Sequence, residues 1–386
     1  MLVYILTFLI ASLSATCAQS SYTKSKILFL FFSIVTILVP SLIAGLRSDT
    51  VGTDMNYYLL EIYDNAATYS DKSQILTDPI YEPVFLMIIF CGLNIFKSLW
   101  GILFLLELVN MTLVYSALFL LKKKLNIGVA IAIYLFLFFN DSLNLMRQHI
   151  AVSFCFFSFA CLYRKKYAGS GIAYAIALFA HSTSFIFVLP LAVFELFRRG
   201  ILKINSSIMK LYWIGLPLSL LLVDFFLTTL ISIGVVSDKY MRYLTSENES
   251  GTRFPSSFFF FFIVFFVFGV YVLNKIPRTW NLLNLKNIIK EKDSVSFVRD
   301  FFIFDIYSVV VVGLATLVSL WIYRMNIYFQ VMLVGLFPIV FKRLKPQDLK
   351  LGQSIFFILL FFYWLWTFIH SNNGETYPYH SEILGI

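Results

Sequence analysis

Charge is scarce in this 386-residue sequence: Asp, Glu, Lys and Arg make up only 13% of it, about half the share usual in soluble domains. With 60% hydrophobic residues, 19% aromatic residues and a mean hydropathy of +0.83, a water-soluble protein is excluded. Cysteine and histidine are rare too, at four of each. Cys17, Cys91, Cys155 and Cys161 lie in or beside apolar segments without metal-ligand spacing. That excludes a disulfide framework or zinc module and leaves packing as their role. No Lys or Arg precedes Lys24, so the first 18 residues lack the charged start of a secretory signal and read as a retained span. Ser14 to Cys17 fail as a lipoprotein box. There is no internal repeat. No basic tract with interleaved aromatics lies outside the apolar segments, so the net charge of +9 does not indicate nucleic-acid binding.

What the sequence does have is apolar runs of roughly 15 to 22 residues, enough to cross a hydrocarbon core of ~30 Å as helices. Barrel strands alternate in and out, whereas Phe258 to Phe268 are apolar on every face, so the spanning backbone is helical. The expected fold is therefore an all-α polytopic membrane protein, a single transmembrane domain over 1–386. Twelve spans are predicted, at about 2–18, 27–46, 99–121, 127–141, 149–163, 167–181, 184–197, 211–228, 254–273, 301–322, 326–341 and 352–370. The connecting segments then place 22 of the 30 basic residues on one side, in clusters such as Lys122 to Lys124 and Arg164 to Lys166 and in the loop 274–300. By the positive-inside rule that side is cytoplasmic and both termini are outside.

The outer side carries a long loop over 47–98. Its first part holds Asp49, Asp54, Glu61, Asp64, Asp71, Asp78 and Glu82 against only Arg47 and Lys72. A loop this long and acidic reads as functional. Val84 to Phe96, apolar but only 13 residues long, reads as an interfacial or re-entrant helix. A second outer loop runs over 229–253.

Ionisable groups at span ends need a reason, and here they gather on the outer side. Arg147 stands with Asn144 and Gln148, at helical spacings that face all three one way. His181 occupies the next outer turn and Arg324 the turn between the tenth and eleventh spans. Arginines held at a membrane surface suit a diphosphate, because guanidinium forks bind its oxygens in pairs and keep their charge. A carboxylate or imidazole nearby can accept the proton of an attacking hydroxyl, and Tyr57 and Tyr58 suit the faces of sugars. Plainer roles exist for each: Arg147 and Arg324 can snorkel, His181 can cap a helix, and Asp54 can cap the helix starting near Met55. Glu107 and Asn110, inside the third span, can pair with a neighbouring helix, and Asp224 is similarly ambiguous. Asp54 with Glu61 can hold a hard cation, although no metal or other cofactor is expected.

In order, Gly52 to Tyr58, Glu82-Pro83-Val84-Phe85, Asn144 to Ala151 and Phe179 to Ser184 resemble the EpsG family of bacterial polysaccharide-polymerisation membrane proteins, relatives of the Wzy O-antigen polymerases. Arg324 with Tyr328-Phe329 is similar to a later Arg-containing turn of that family. The resemblance spans about residues 45 to 330, with Met55 and His149 as departures that remove no charged group. It implies an inner-membrane glycosyltransferase joining undecaprenyl-diphosphate-linked oligosaccharide repeat units at the periplasmic face. Its implied partners are that lipid-linked substrate, the membrane lipids and a chain-length regulator protein. The resemblance assigns Asp54, Glu82, Arg147, His181 and Arg324 to the site. The expected general base is Asp54, with His181 close behind, although Glu82 can equally just start its helix beside Pro83. The acidic first loop is also similar to that of lipid-linked sugar transferases of GT-C architecture. The alternatives are a flippase or transporter of lipid-linked sugars, which should show repeats and midplane charges, and another glycosyltransferase using lipid-linked sugars. A scaffold would need no arginine pocket.

Overall fold

The computed structural model of the chain describes residues 1–69, 71–233, 267–269, 271, 293–315 and 322–386. The predicted span 254–273 and the loops 229–253 and 274–300 lie largely outside them. All regular structure among the described residues is helical. By contacts the chain divides into two compact units. The first comprises Met1–Phe185, Val334–Lys342 and Phe357–Ile386, and the second Ile186–Leu333 and Arg343–Phe356.

The first unit opens with α1 (Leu2–Ser21), which contains neither Gly nor Pro, and α2 (Lys26–Gly45). Ser25 caps α2 by accepting from the Leu28 amide. A short helix α3 (Leu60–Thr68) and α4 (Pro83–Ile95) lie in the acidic loop. They are followed by α5 (Leu99–Leu120), capped by Ser98. Next, α6 (Ile127–Tyr134), capped by Asn126, continues through a π-helical turn at Leu135–Phe139 into α7 (Asn140–Asn144). Helices α8 (Met146–Tyr163) and α9 (Tyr167–Ala180) complete the run. Packing pairs α1 with α2 and α6, α2 with α5, α5 with α8, and α8 with α9.

Side-chain bonds define two ends of this unit. At one, Gln19 donates to the Lys122 and Leu125 carbonyls and accepts from the Ile127 amide. There Lys122 Nζ sits 3.6 Å from the Phe119 ring centre, and Lys342 donates to the Lys123 carbonyl. Lys122, Lys123 and Lys342 therefore meet at this end. At the other end, residues 371–386 fold back over the chain leaving α2. The amides of Ser48 and Gly52 donate to the His380 and Glu375 carbonyls, each at 2.9 Å, and Tyr379 Oη donates to the Ile43 carbonyl.

The 13 residues of α4 rise only about 20 Å. The close approach of Gly92 to Ile102 puts its C-terminal part beside the start of α5. Its first residues stand by Arg147, one residue into α8.

The second unit begins with α10 (Val188–Arg198), α11 (Ser207–Leu221) and α12 (Val223–Ser232) and continues with α13 (Asp293–Ala315). Phe194 packs edge-on against Phe297 and Phe301, and Tyr212 shares a hydrogen bond with Ser308 at 2.8 Å. Helices α14 (Ile322–Phe341) and α15 (Pro346–Trp364) pass from the second unit into the first.

Six helices among the described residues are long and apolar enough to span a membrane: Leu2–Ser21, Lys26–Gly45, Leu99–Leu120, Ile127–Asn144, Arg324–Phe341 and Pro346–His370. The chain is thus a polytopic membrane protein, while six of the expected twelve spans are not met by such a helix among the described residues. The predicted 211–228 span is interrupted at Leu222 (φ −101°, ψ 7°). The predicted 184–197 span divides into a 3-10 turn, Ser182–Phe187, and the 11 residues of α10.

Candidate functional site

The site is built around a break in a helix. At Leu145 (φ −84°, ψ 53°) the chain leaves α7 and starts again as α8. Asn144 and Arg147 therefore belong to different helices. The expected alignment of Asn144, Arg147 and Gln148 by helical spacing does not hold, because that spacing requires an unbroken helix. Asn144 instead reaches the outer loop: its Oδ1 accepts from Thr53 Oγ1 at 2.7 Å and from the Asp54 amide at 3.0 Å. Gln148 is buried in the first turns of α8.

Arg147, first turn of α8, meets Glu82, the residue before α4. Nη1 donates to Glu82 Oε2 at 3.0 Å, while Glu82 Oε1 lies 2.8 Å from His181 Nδ1. Pro83 occupies the first helical position, as expected, but the Glu82 carboxylate makes no capping bond. Burial pushes the acidity of Glu82 down, yet the hydrogen bond and charge of His181 and the Arg147 guanidinium outweigh it and hold the carboxyl at about 2, against an ordinary 4.5. Its stabilising contribution is thus complete above pH 4.5 and is lost as the pH falls through about 2. An ionised carboxylate only accepts, so Nδ1 of His181 is the donor, and Nε2 has no partner among the described residues.

Two aromatic rings lie beside the arginine. Its guanidinium carbon lies 4.6 Å from the centre of the Tyr58 ring and 5.4 Å from that of Tyr81, within cation–π range. Phe85 of α4 closes against both rings, at 5.8 and 6.4 Å. Tyr58 Oη donates to Asp54 Oδ2 at 2.7 Å. Burial and the Asp54 charge push the Tyr58 phenol well up, so it stays a donor. Asp54 makes no side-chain capping bond to the π turn that follows it. Tyr57 is 78% exposed.

The loop needs glycine at position 52. Gly52 has φ +101°, and a Cβ there would stand 2.9 Å from the Leu143 carbonyl oxygen. Gly52→Ala is expected to cost about 1–3 kcal/mol from backbone strain alone and to displace Thr53 and Asp54 from Asn144. A lowered melting temperature of the detergent-purified protein checks this.

Beneath the break lies a second polar cluster. Glu107 Oε2 accepts from Ser142 at 2.9 Å and from Asn110 at 3.2 Å, and Asn110 accepts from Ser153. These residues pair with neighbouring helices, the plainer of their two readings. Arg324 lies in the first turn of α14, in the second unit. Asp54, Tyr58, Glu82, Asn144, Arg147 and His181 all belong to the first unit and are linked as described. Sequence reasoning missed Tyr81, Thr53 and Phe85. The adjacency of Tyr81 to Glu82 and of Thr53 to Asp54 was the available signal.

A family model described as the EpsG family matches residues 2–381. No curated protein and no solved structure matches the chain.

Proposed function

The chain belongs to the EpsG family of Wzy-type, exopolysaccharide-polymerase-like membrane proteins, and from this we propose that it polymerises undecaprenyl-diphosphate-linked oligosaccharide repeat units by glycosyl transfer at the periplasmic face of the bacterial inner membrane. Family membership supports the polymerase class. The observation that carries the site is the Glu82 carboxylate shared between Arg147 and His181.

In this reading the acceptor hydroxyl oxygen forms a new bond to the anomeric carbon of the donor sugar. The bond from that carbon to the diphosphate oxygen breaks, and the diphosphate leaves with the electron pair. The hydroxyl proton passes to Nε2 of His181. Glu82 fixes the imidazole by holding Nδ1–H, the part an orienting carboxylate plays in other hydroxyl-activating sites. Arg147 takes the diphosphate oxygens. Tyr57, Tyr58 and Tyr81 offer ring faces to the sugars. Asp54 holds Tyr58, and Asn144 holds the loop that carries Asp54. A diphosphate leaves without protonation, so a single base suffices.

The test is polymerisation by purified protein in proteoliposomes supplied with lipid-linked repeat units, together with the surface glycan of a strain lacking the gene. A product of one repeat unit supports polymerisation. Loss of all surface glycan points to export and overturns the reading. For the orientation, alkaline phosphatase fused after Ser70 or Glu249 is expected to be active and after Lys166 or Lys292 inactive. Activity after Lys124 would mean that α4 crosses the membrane.

A further inference from the structure

Arg47 follows α2 and, in the sequence, is one of eight basic residues outside the basic clusters. Its side chain turns inward, and the residue is only 6% exposed. Nη2 donates to the Leu143 carbonyl at 2.8 Å and lies 3.4 Å from Met146 Sδ. Leu143 and Met146 stand on opposite sides of Leu145, where the chain leaves the helix. The last carbonyls of a helix have no amide of their own helix to accept from, and a buried one needs another donor. Arg47 is that donor for Leu143. A second brace on the same stretch comes from Glu107, which accepts from Ser142 Oγ at 2.9 Å.

We propose that Arg47 is a positioning residue whose guanidinium fixes the break between α7 and α8, and so sets Arg147 against Glu82 and Asn144 against Thr53 and Asp54. Its effect on rate rests on the polymerase reading, whereas the brace itself does not. A long side chain with several donors suits the task because it spans from the end of α2 to both sides of the break. Its burial keeps it from the substrate, so it acts through the groups it places.

The experiment compares Arg47→Met and Arg47→Lys in the full-length purified protein. Amide hydrogen exchange is read by mass spectrometry, and polymerisation is read with and without Arg147→Lys. Arg47→Met is expected to speed exchange across residues 143–148 about tenfold or more, with exchange in α1 as in the wild type. The polymerisation rate should fall about tenfold in the parent and less than about twofold further when Arg147→Lys is already present, because both changes act on one element. Arg47→Lys keeps a charged donor and should give intermediate exchange. It carries the test if Arg47→Met does not accumulate. Wild-type exchange at 143–148 in both variants overturns the proposal, as does an equal fold loss of rate in both backgrounds. Faster exchange at 143–148 in a protein whose wild type makes no polymer leaves the brace standing and sinks the polymerase reading.

Discussion

Arg147→Lys is expected to slow polymerisation of lipid-linked repeat units roughly 30- to 1000-fold, a loss of about 2–4 kcal/mol of transition-state stabilisation. One arm of the guanidinium is already committed to Glu82. Its planar fork has further donors for a diphosphate oxygen, whereas an ammonium drawn to Glu82 presents no second donor in the same plane. The neighbouring rings sharpen the contrast, since Tyr58 and Tyr81 both lie within cation–π range of the planar guanidinium, which stacks on ring faces better than a compact ammonium does. Protein levels must be matched, because the variant alters the Glu82 ion pair. Normal-length chains from Arg147→Lys at normal protein levels would remove the diphosphate role from Arg147.

The parts of this architecture that rest on composition and local pattern were legible in the sequence. Apolar runs gave the membrane class, and the clustered lysines gave the shared end at which Gln19, Lys122 and Lys342 meet. The helix α4 was legible because Pro83 opens a run of 13 mainly apolar residues. The break at Leu145 was not: neither Gly nor Pro marks it, and it is stabilised by Arg47 from 96 residues earlier in the chain. The pairing of Glu82 with His181 joins residues 99 apart. No periodicity reports such a contact, and only the family resemblance placed both in one site. The contact between Asp54 and Tyr58, four residues apart, was within reach of local reasoning, which offered a helix cap instead. The folded-back segment 371–386 contains few apolar residues to announce packing, and its contacts with Ser48 and Gly52 run through backbone groups that every residue carries.

His181→Gln and Glu82→Gln are expected to separate the general base from its rivals. Asp54 was the slightly preferred base on sequence grounds, but its carboxylate already accepts from Tyr58 Oη, whereas His181 keeps Nε2 for a substrate proton. Losing a general base costs typically 10²–10⁴-fold, so His181→Gln should lose about that much of the polymerisation rate while still binding the lipid-linked acceptor. Glu82→Gln keeps the size and one carbonyl oxygen but places an amide group where two cationic or donor groups now meet a carboxylate. It should fall by a similar factor, because both Arg147 and the imidazole lose their anchor. Asp54→Asn still accepts the Tyr58 hydroxyl bond, and it should change the rate by no more than a few-fold. Acid supplies an independent reading. Because the Glu82 carboxyl is held at about 2, it contributes no titration between pH 4.5 and 8, and any fall in wild-type rate over that range belongs to another group. The decisive comparison is rate against acceptor binding in the three variants. A dead Asp54→Asn beside an active His181→Gln returns the base to Asp54, and full activity in both would mean that neither takes the proton.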